Sequence, residues 1–176
     1  MKFAAAFVLI LMLAGCAGST TSKSTDDAPD ATPNPKPTPA LRVGQTHEAD
    51  GLAITLIEVD YPFTGDERHV PPEGSAFVGL DTKTCNDSAN KPTVTASNSD
   101  WTLVGATGII YAGTKDVSWA DWPLPKFPEG SPLEPGKCSY GWVLIQVPGN
   151  EQFSAVHVKT PGSNETATWK GTFARN

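Results

Sequence analysis

Three cysteines, three histidines, 19 carboxylates and five tryptophans are the groups in this 176-residue chain that could do chemistry. His47, His69 and His157 stand at no metal-ligand spacing to one another, and each is expected at the surface. His157 alternates out of phase with Val156 and Val158, which in a strand turns it towards solvent. No Gly-x-Ser-x-Gly, His-Glu-x-x-His, phosphate loop or Asp-x-Asp-x-Asp-Gly calcium loop occurs. Asp116, Asp121, Glu129 and Glu134 could in number supply an acid and a base. Glycoside hydrolysis, however, needs two carboxylates at a set separation, and a solvated acidic face is the simpler reading. The chemistry-bearing residues therefore predict no catalytic site, no metal and no cofactor. One stretch differs in kind: Val117 to Pro128 packs Trp119, Trp122 and Phe127 among three prolines, with Asp121 between the tryptophans. Buried, these rings would cap one end of a domain. Exposed, Trp119, Asp121, Trp122 and Phe127 would form a recognition surface for an extracellular protein or glycan, since rigid aromatics anchor interfaces well.

The remaining chemistry depends on where the chain resides. After Met1-Lys2, residues Phe3 to Ala14 carry no polar side chain. That run is shorter than the roughly 20 residues a spanning helix needs, and it reads as the apolar centre of a signal peptide. It ends in Leu13-Ala14-Gly15-Cys16, which resembles the bacterial lipobox. The resemblance implies removal of residues 1–15 and a lipidated Cys16, palmitate-type acyl chains included, as the mature N-terminus. Two or more acyl chains hold a protein stably at a membrane, so the expected location is the outer leaflet of the cell membrane with the rest of the chain outside. In a bacterium the sequon-like Asn86-Asp87-Ser88 and Asn164-Glu165-Thr166 are not expected to accept glycans.

Residues 17–40 hold five prolines and eight Ser or Thr, and their only apolar side chains are alanines. Such a segment cannot bury enough surface to offset its ordering entropy. With the lipidated Cys16 it forms a tether over residues 16–40, reaching roughly 70 Å if extended at about 3.1 Å per residue. Charge points the same way. The chain has 13 basic and 19 acidic residues, net −6, which disfavours nucleic acid, whose phosphates need clustered Lys and Arg. Cysteine number then closes: with Cys16 lipidated, Cys85 and Cys138 remain as a disulfide pair between sheets or between strand and loop.

Residues 41–176 are long enough for one core. Eight segments have β-branched and aromatic residues bounded by Gly, Pro, Asn or Asp: Leu52–Tyr61, Ala76–Cys85, Thr93–Ala96, Trp101–Val104, Ile109–Ala112, Cys138–Val147, Phe153–Thr160 and Thr166–Phe173. Leu52, Ile54 and Leu56 alternate, then Ile57, Val59 and Tyr61 continue out of phase. That change predicts a β-bulge or a strand crossing between sheets. Cys138–Val147 is apolar on both faces, which predicts a strand central in its sheet or covered on both sides. The pattern is that of an all-β antiparallel sandwich.

Several short motifs carry a family resemblance. Gly51-Leu52-Ala53-Ile54-Thr55, Phe77-Val78-Gly79-Leu80 followed by Asn86-Asp87-Ser88, Gly108-Ile109-Ile110-Tyr111, and Leu133-Glu134-Pro135-Gly136 followed by Gly141-Trp142-Val143-Leu144-Ile145 and Val147-Pro148 are similar to elements of the DUF4352 family. The resemblance spans residues 41–173 and departs from the family at Asp100-Trp101 and over residues 113–132. It implies a telokin-like, immunoglobulin-like extracellular module of the kind found on bacterial lipoproteins, notably actinobacterial ones, with no catalytic residues to carry over. The expected function is a non-enzymatic, lipid-anchored surface module that binds a ligand or protein or serves envelope structure. The alternative is an enzyme or enzyme inhibitor acting on wall polymer or a protease.

Overall fold

Leu52, Ile54 and Leu56 are at most 3% exposed, while Ala53 and Thr55 between them reach the surface. This is the two-residue period of a strand with one buried face. A computed structural model of the chain describes residues 39–64, 70–87, 92–113 and 125–173, all within the unit Pro37–Asn176. Ten strands run through them: β1 (Thr46–Ala49), β2 (Leu52–Asp60), β3 (Ser75–Asn86), β4 (Val94–Ala96), β5 (Trp101–Gly105), β6 (Ile110–Ala112), β7 (Ser131–Leu133), β8 (Cys138–Pro148), β9 (Phe153–Lys159) and β10 (Thr166–Phe173). One antiparallel sheet has the order β1-β2-β3-β8 and the other β10-β9-β5-β6, with β4 and β7 as a separate ribbon. The fold is an antiparallel β-sandwich. Leu41, ahead of the first strand, bonds through its backbone to Thr168 and Lys170 and ties the start of the module to β10.

The core lies between the sheets. Ile54, Leu56, Val78, Leu80, Val143 and Ile145 face Trp101, Leu103, Val156, Val158 and Trp169. Trp101 and Trp169 stack at 5.7 Å, and the Trp169 indole N–H donates to the Gln45 carbonyl at 2.9 Å, the partner a buried indole requires.

All eight expected strands are present, and the phase change in β2 is a bulge. Leu56 pairs with Thr82 and Glu58 with Asp81, so Ile57 is the extra residue, 44% exposed. The insertion restores the inward phase for Val59 and Tyr61 without leaving the sheet. β8 is not central but meets the other expectation, a strand covered on both faces: among the described strands it pairs with β3 alone, at the edge of its sheet. Its outer face is apolar because Phe63 covers Leu144 and Phe77 there, held by a backbone bond from Phe63 to Phe77. Its free edge is covered in part by residues 125–127. Trp142 donates its N–H to the Pro125 carbonyl at 2.9 Å, and Phe127 donates to the Trp142 carbonyl at 3.1 Å. Covering an edge in this way removes a template for unwanted pairing. Gly141 makes that approach feasible. Its φ is 142°, and a Cβ there would stand 2.5–2.6 Å from the backbone of residues 125–127.

Candidate functional site

The inner face of β3 becomes polar at its C-terminal end. Thr82, Thr84 and Asn86 are each at most 2% exposed. Thr82 donates its hydroxyl to the Gly141 carbonyl at 3.0 Å. Asn86 acts as a clamp: its amide nitrogen donates to the Pro92 carbonyl at 3.1 Å and the Leu133 carbonyl at 3.2 Å. Its backbone exchanges bonds with Lys137 and Gly136. Two carbonyl acceptors fix the amide orientation, since only the nitrogen can serve both. Its Oδ1 is buried without a hydrogen-bond partner among the described residues, as are both side-chain polar atoms of Asn98.

β1 and β2 meet beside this clamp in a two-residue turn. Asp50 and Gly51 both have positive φ, 52° and 75°, as a type I′ hairpin demands. Asp87 donates its backbone N–H to the Gly51 carbonyl at 3.0 Å, so turn and clamp are fastened together. Two clefts flank the turn. One, of about 550 Å³, is lined by Asp50, Leu52, Asn86, Val94, Thr95 and Pro161. The other, of about 350 Å³, is lined by Glu48, Asp50, Gly51 and Asp87. Both volumes lie within the span of small-molecule sites, and their only charged lining groups among the described residues are carboxylates.

Cys85 and Cys138 form a disulfide. They are directly opposed partners of β3 and β8, so the bridge is a cross-strand link on the outer face of one sheet and is neither of the expected placements, between sheets or between strand and loop. Cys85 is 6% exposed and Cys138 lies open to solvent. The Asp87 carboxylate converges with the two sulfurs, all three ligand-type atoms lying within 4.8 Å of one another.

Other residues singled out from the sequence fall in different places. Phe127 is 1% exposed and packs edge-on against Trp101 at 6.3 Å. It fills the core, so the capping role applies to Phe127 and the surface-anchor role does not. Trp119, Asp121 and Trp122 lie outside the described residues, as do Cys16 and His69. His47, expected at the surface, is 5% exposed because its register with Ile54 turns it inward; its Nε2 stands 3.7 Å from the Glu165 carboxylate. His157 is half-buried on the outer face of the other sheet. Burial, then the neighbouring Lys170 charge, lowers its pKa. Burial raises Asp81 and Asp100 above the ordinary carboxylate value, opposed in each by a backbone N–H. Asp81 sits on the outer face of the β3 sheet, opposite Trp142. Asp100 caps a single 3₁₀ turn by accepting from the Ser97 N–H at 3.1 Å.

The chain is similar to the Mycobacterium tuberculosis secreted protein MPT63, with a TM-score of 0.55 and 15% identity, over 78% of this chain and 100% of that one. It is also similar to the Bacillus subtilis candidate lipoprotein ycdA, with a TM-score of 0.53 and 15% identity over 72% of this chain. The likeness is one of fold. This chain spans 38% of the length of ycdA. No family model matches the chain, and no curated protein does.

Proposed function

We propose that the protein is a lipid-anchored, extracytoplasmic binding module of the DUF4352 kind, held at the outer leaflet by Cys16 and without catalytic activity of its own. One observation carries this reading. The pairing of Cys85 with Cys138 uses two of the three cysteines, and the third is Cys16 at the end of the apolar leader. A disulfide suits an oxidising compartment, and a cysteine left over in that compartment calls for a covalent fate of its own. Neighbours described as a secreted protein and a candidate lipoprotein support the location. In the same reading Trp119, Asp121 and Trp122 present a recognition surface to an extracellular protein or glycan, on a segment whose far end is fastened through Phe127.

The test is metabolic labelling with a palmitate analogue, followed by detergent phase partition. Wild type is expected in the detergent phase carrying label. Cys16→Ser is expected to lose the label and either appear in the medium or persist as an unprocessed precursor. A labelled Cys16→Ser protein, or a mature N-terminus at another residue, overturns the anchor.

A further inference from the structure

We infer that the Cys85–Cys138 pair and Asp87 form a redox-gated site that, once reduced, takes a borderline-soft divalent cation such as zinc. As a disulfide the sulfurs are bonded to each other and are not metal ligands. Reduction alters that without requiring the strands to part. Cys85 and Cys138 sit opposite each other at one end of an eleven-pair ladder between β3 and β8. Beside them, Asn86 is fastened to Gly136 and Lys137 by backbone bonds and to Pro92 and Leu133 through its side chain. Asp87 is fastened to Gly51. None of these bonds passes through the sulfurs, so the two thiols stay juxtaposed after the bridge opens.

The donor set is right for such an ion. Two thiolates and a carboxylate are zinc-type ligands, and a tetrahedral ion with bonds of about 2.0–2.3 Å joins ligand atoms under about 4 Å apart. The three donors lie within 4.8 Å of one another with the sulfurs still bonded, so the carboxylate already stands at the pair and the freed thiols have only to separate to ligand–ligand distance. Three protein ligands leave a fourth position for water. Asp87 also lines the 350 Å³ cleft together with Glu48 and Asp50, so the ion would stand at the edge of an open, negatively charged recess.

In the oxidising compartment of the proposed function the bridge is the resting state, and opening it takes an extracytoplasmic dithiol as reductant, with which the chemistry balances. Its thiolate attacks the exposed Cys138 sulfur, the S–S bond breaks, and Cys85 leaves as a thiolate that takes up a proton. The second thiol of the reductant then resolves the mixed disulfide, freeing Cys138 and leaving the reductant oxidised as a disulfide. The divalent ion displaces one proton from each thiol on binding.

The probe is cobalt(II) added to the full chain carrying Cys16→Ser, so that the pair supplies its only thiols, before and after treatment with a dithiol under anaerobic conditions. The reduced protein is expected to bind a single cobalt ion per chain with thiolate-to-cobalt charge-transfer absorption, and the oxidised protein to show none. Cys85→Ser should lose the two-thiolate spectrum. Asp87→Asn should weaken binding by about tenfold or more, the range found even for partners one step removed from a metal, with the melting temperature of the oxidised form unchanged. Absence of the band when two free thiols are titrated and strand dichroism is retained overturns the proposal. So does loss of strand dichroism on reduction alone, or undiminished affinity in Asp87→Asn.

Discussion

Phe127→Ala separates a structural plug from a presented anchor. The ring is 1% exposed, lies edge-on to Trp101 at 6.3 Å, and sits on a backbone bonded to Trp142. An aromatic side chain of this size removes about 150–250 Å² from water, which at about 25 cal/mol per Å² is worth about 4–6 kcal/mol as an upper bound. Measured truncations of buried Phe to Ala cost about 3–5 kcal/mol once partial collapse of the cavity is allowed. Against a typical total of about 5–15 kcal/mol, that is a large loss. Domains of this size shift by roughly 4 °C per kcal/mol, so the melting temperature should fall by about 12–20 °C. Thermal unfolding followed by far-ultraviolet circular dichroism reads this directly, with denaturant midpoints as a second measure. A fall of less than about 4 °C, corresponding to under about 1 kcal/mol, would show that the ring is not part of the core. If such a variant also lost a surface partner, Phe127 would return to the recognition role.

Three further outcomes follow from particular contacts. Gly141→Ala should cost at least about 1–3 kcal/mol, the usual penalty of overpacking, because its Cβ meets the backbone of residues 125–127 and its φ is 142°; an unchanged denaturation midpoint would show that this segment does not seal the β8 edge. Asn86→Ala removes two side-chain hydrogen bonds, each worth about 0.5–1.5 kcal/mol net, and should raise hydrogen exchange at the β4–β7 ribbon before the sheets; uniform exchange across the domain would contradict the clamp. His157 has a lowered pKa, from burial first and then Lys170, so the unfolded chain binds its proton at higher pH than the fold does. That contribution is present above about pH 6.5, the ordinary histidine value, and is lost as pH falls through it towards the lower folded value. His157→Gln should flatten the decline in melting temperature below that pH, and parallel wild-type and variant curves would refute it.

Strand content was legible because β-branched and aromatic residues fall in short runs between turn formers. Even the bulge at Ile57 shows as a change of phase. The position of β8 was not legible. Residues Tyr140, Trp142 and Leu144 read as the second face of a strand either central or covered on both sides, and it is the second: that face is covered by Phe63 and the edge by residues 125–127. An apolar pattern records that a face is covered and not what covers it. β1 and β7 lack the apolar strand pattern for local reasons. Thr46–Ala49 has no apolar alternation, and Ser131–Leu133 contains Pro132, which cannot donate to a ladder. A signal for β1 was nonetheless present in Asp50-Gly51. Read as a two-residue turn, it sets Ala49 against Leu52 and His47 against Ile54. Ile54 points inward, so the same register predicts a buried His47. Cysteine number gave the disulfide pairing, but whether the bridge lies within a sheet or between sheets depends on strand order, which the count does not contain.

β8 joins the disulfide to the covered sheet edge. Cys138 opens the strand, and Gly141 and Trp142, three and four residues on, receive the backbone of residues 125–127. A strand at the edge of a sheet has one free side, and here that side is spent on fastening the segment that carries Phe127. The opposite side is held by β3 along its whole length, with the cysteine pair at the end. Rigid support on one side lowers the ordering cost of whatever is presented on the other. The Asp50-Gly51 turn and the Asn86 clamp extend that support into the β4–β7 ribbon, so the clefts beside them are walled by backbone hydrogen bonds as well as by side chains. The fastenings at Asn86, Gly141 and the cysteine pair therefore hold the sandwich without relying on the other side chains that line these clefts, such as Glu48, Val94 and Thr95.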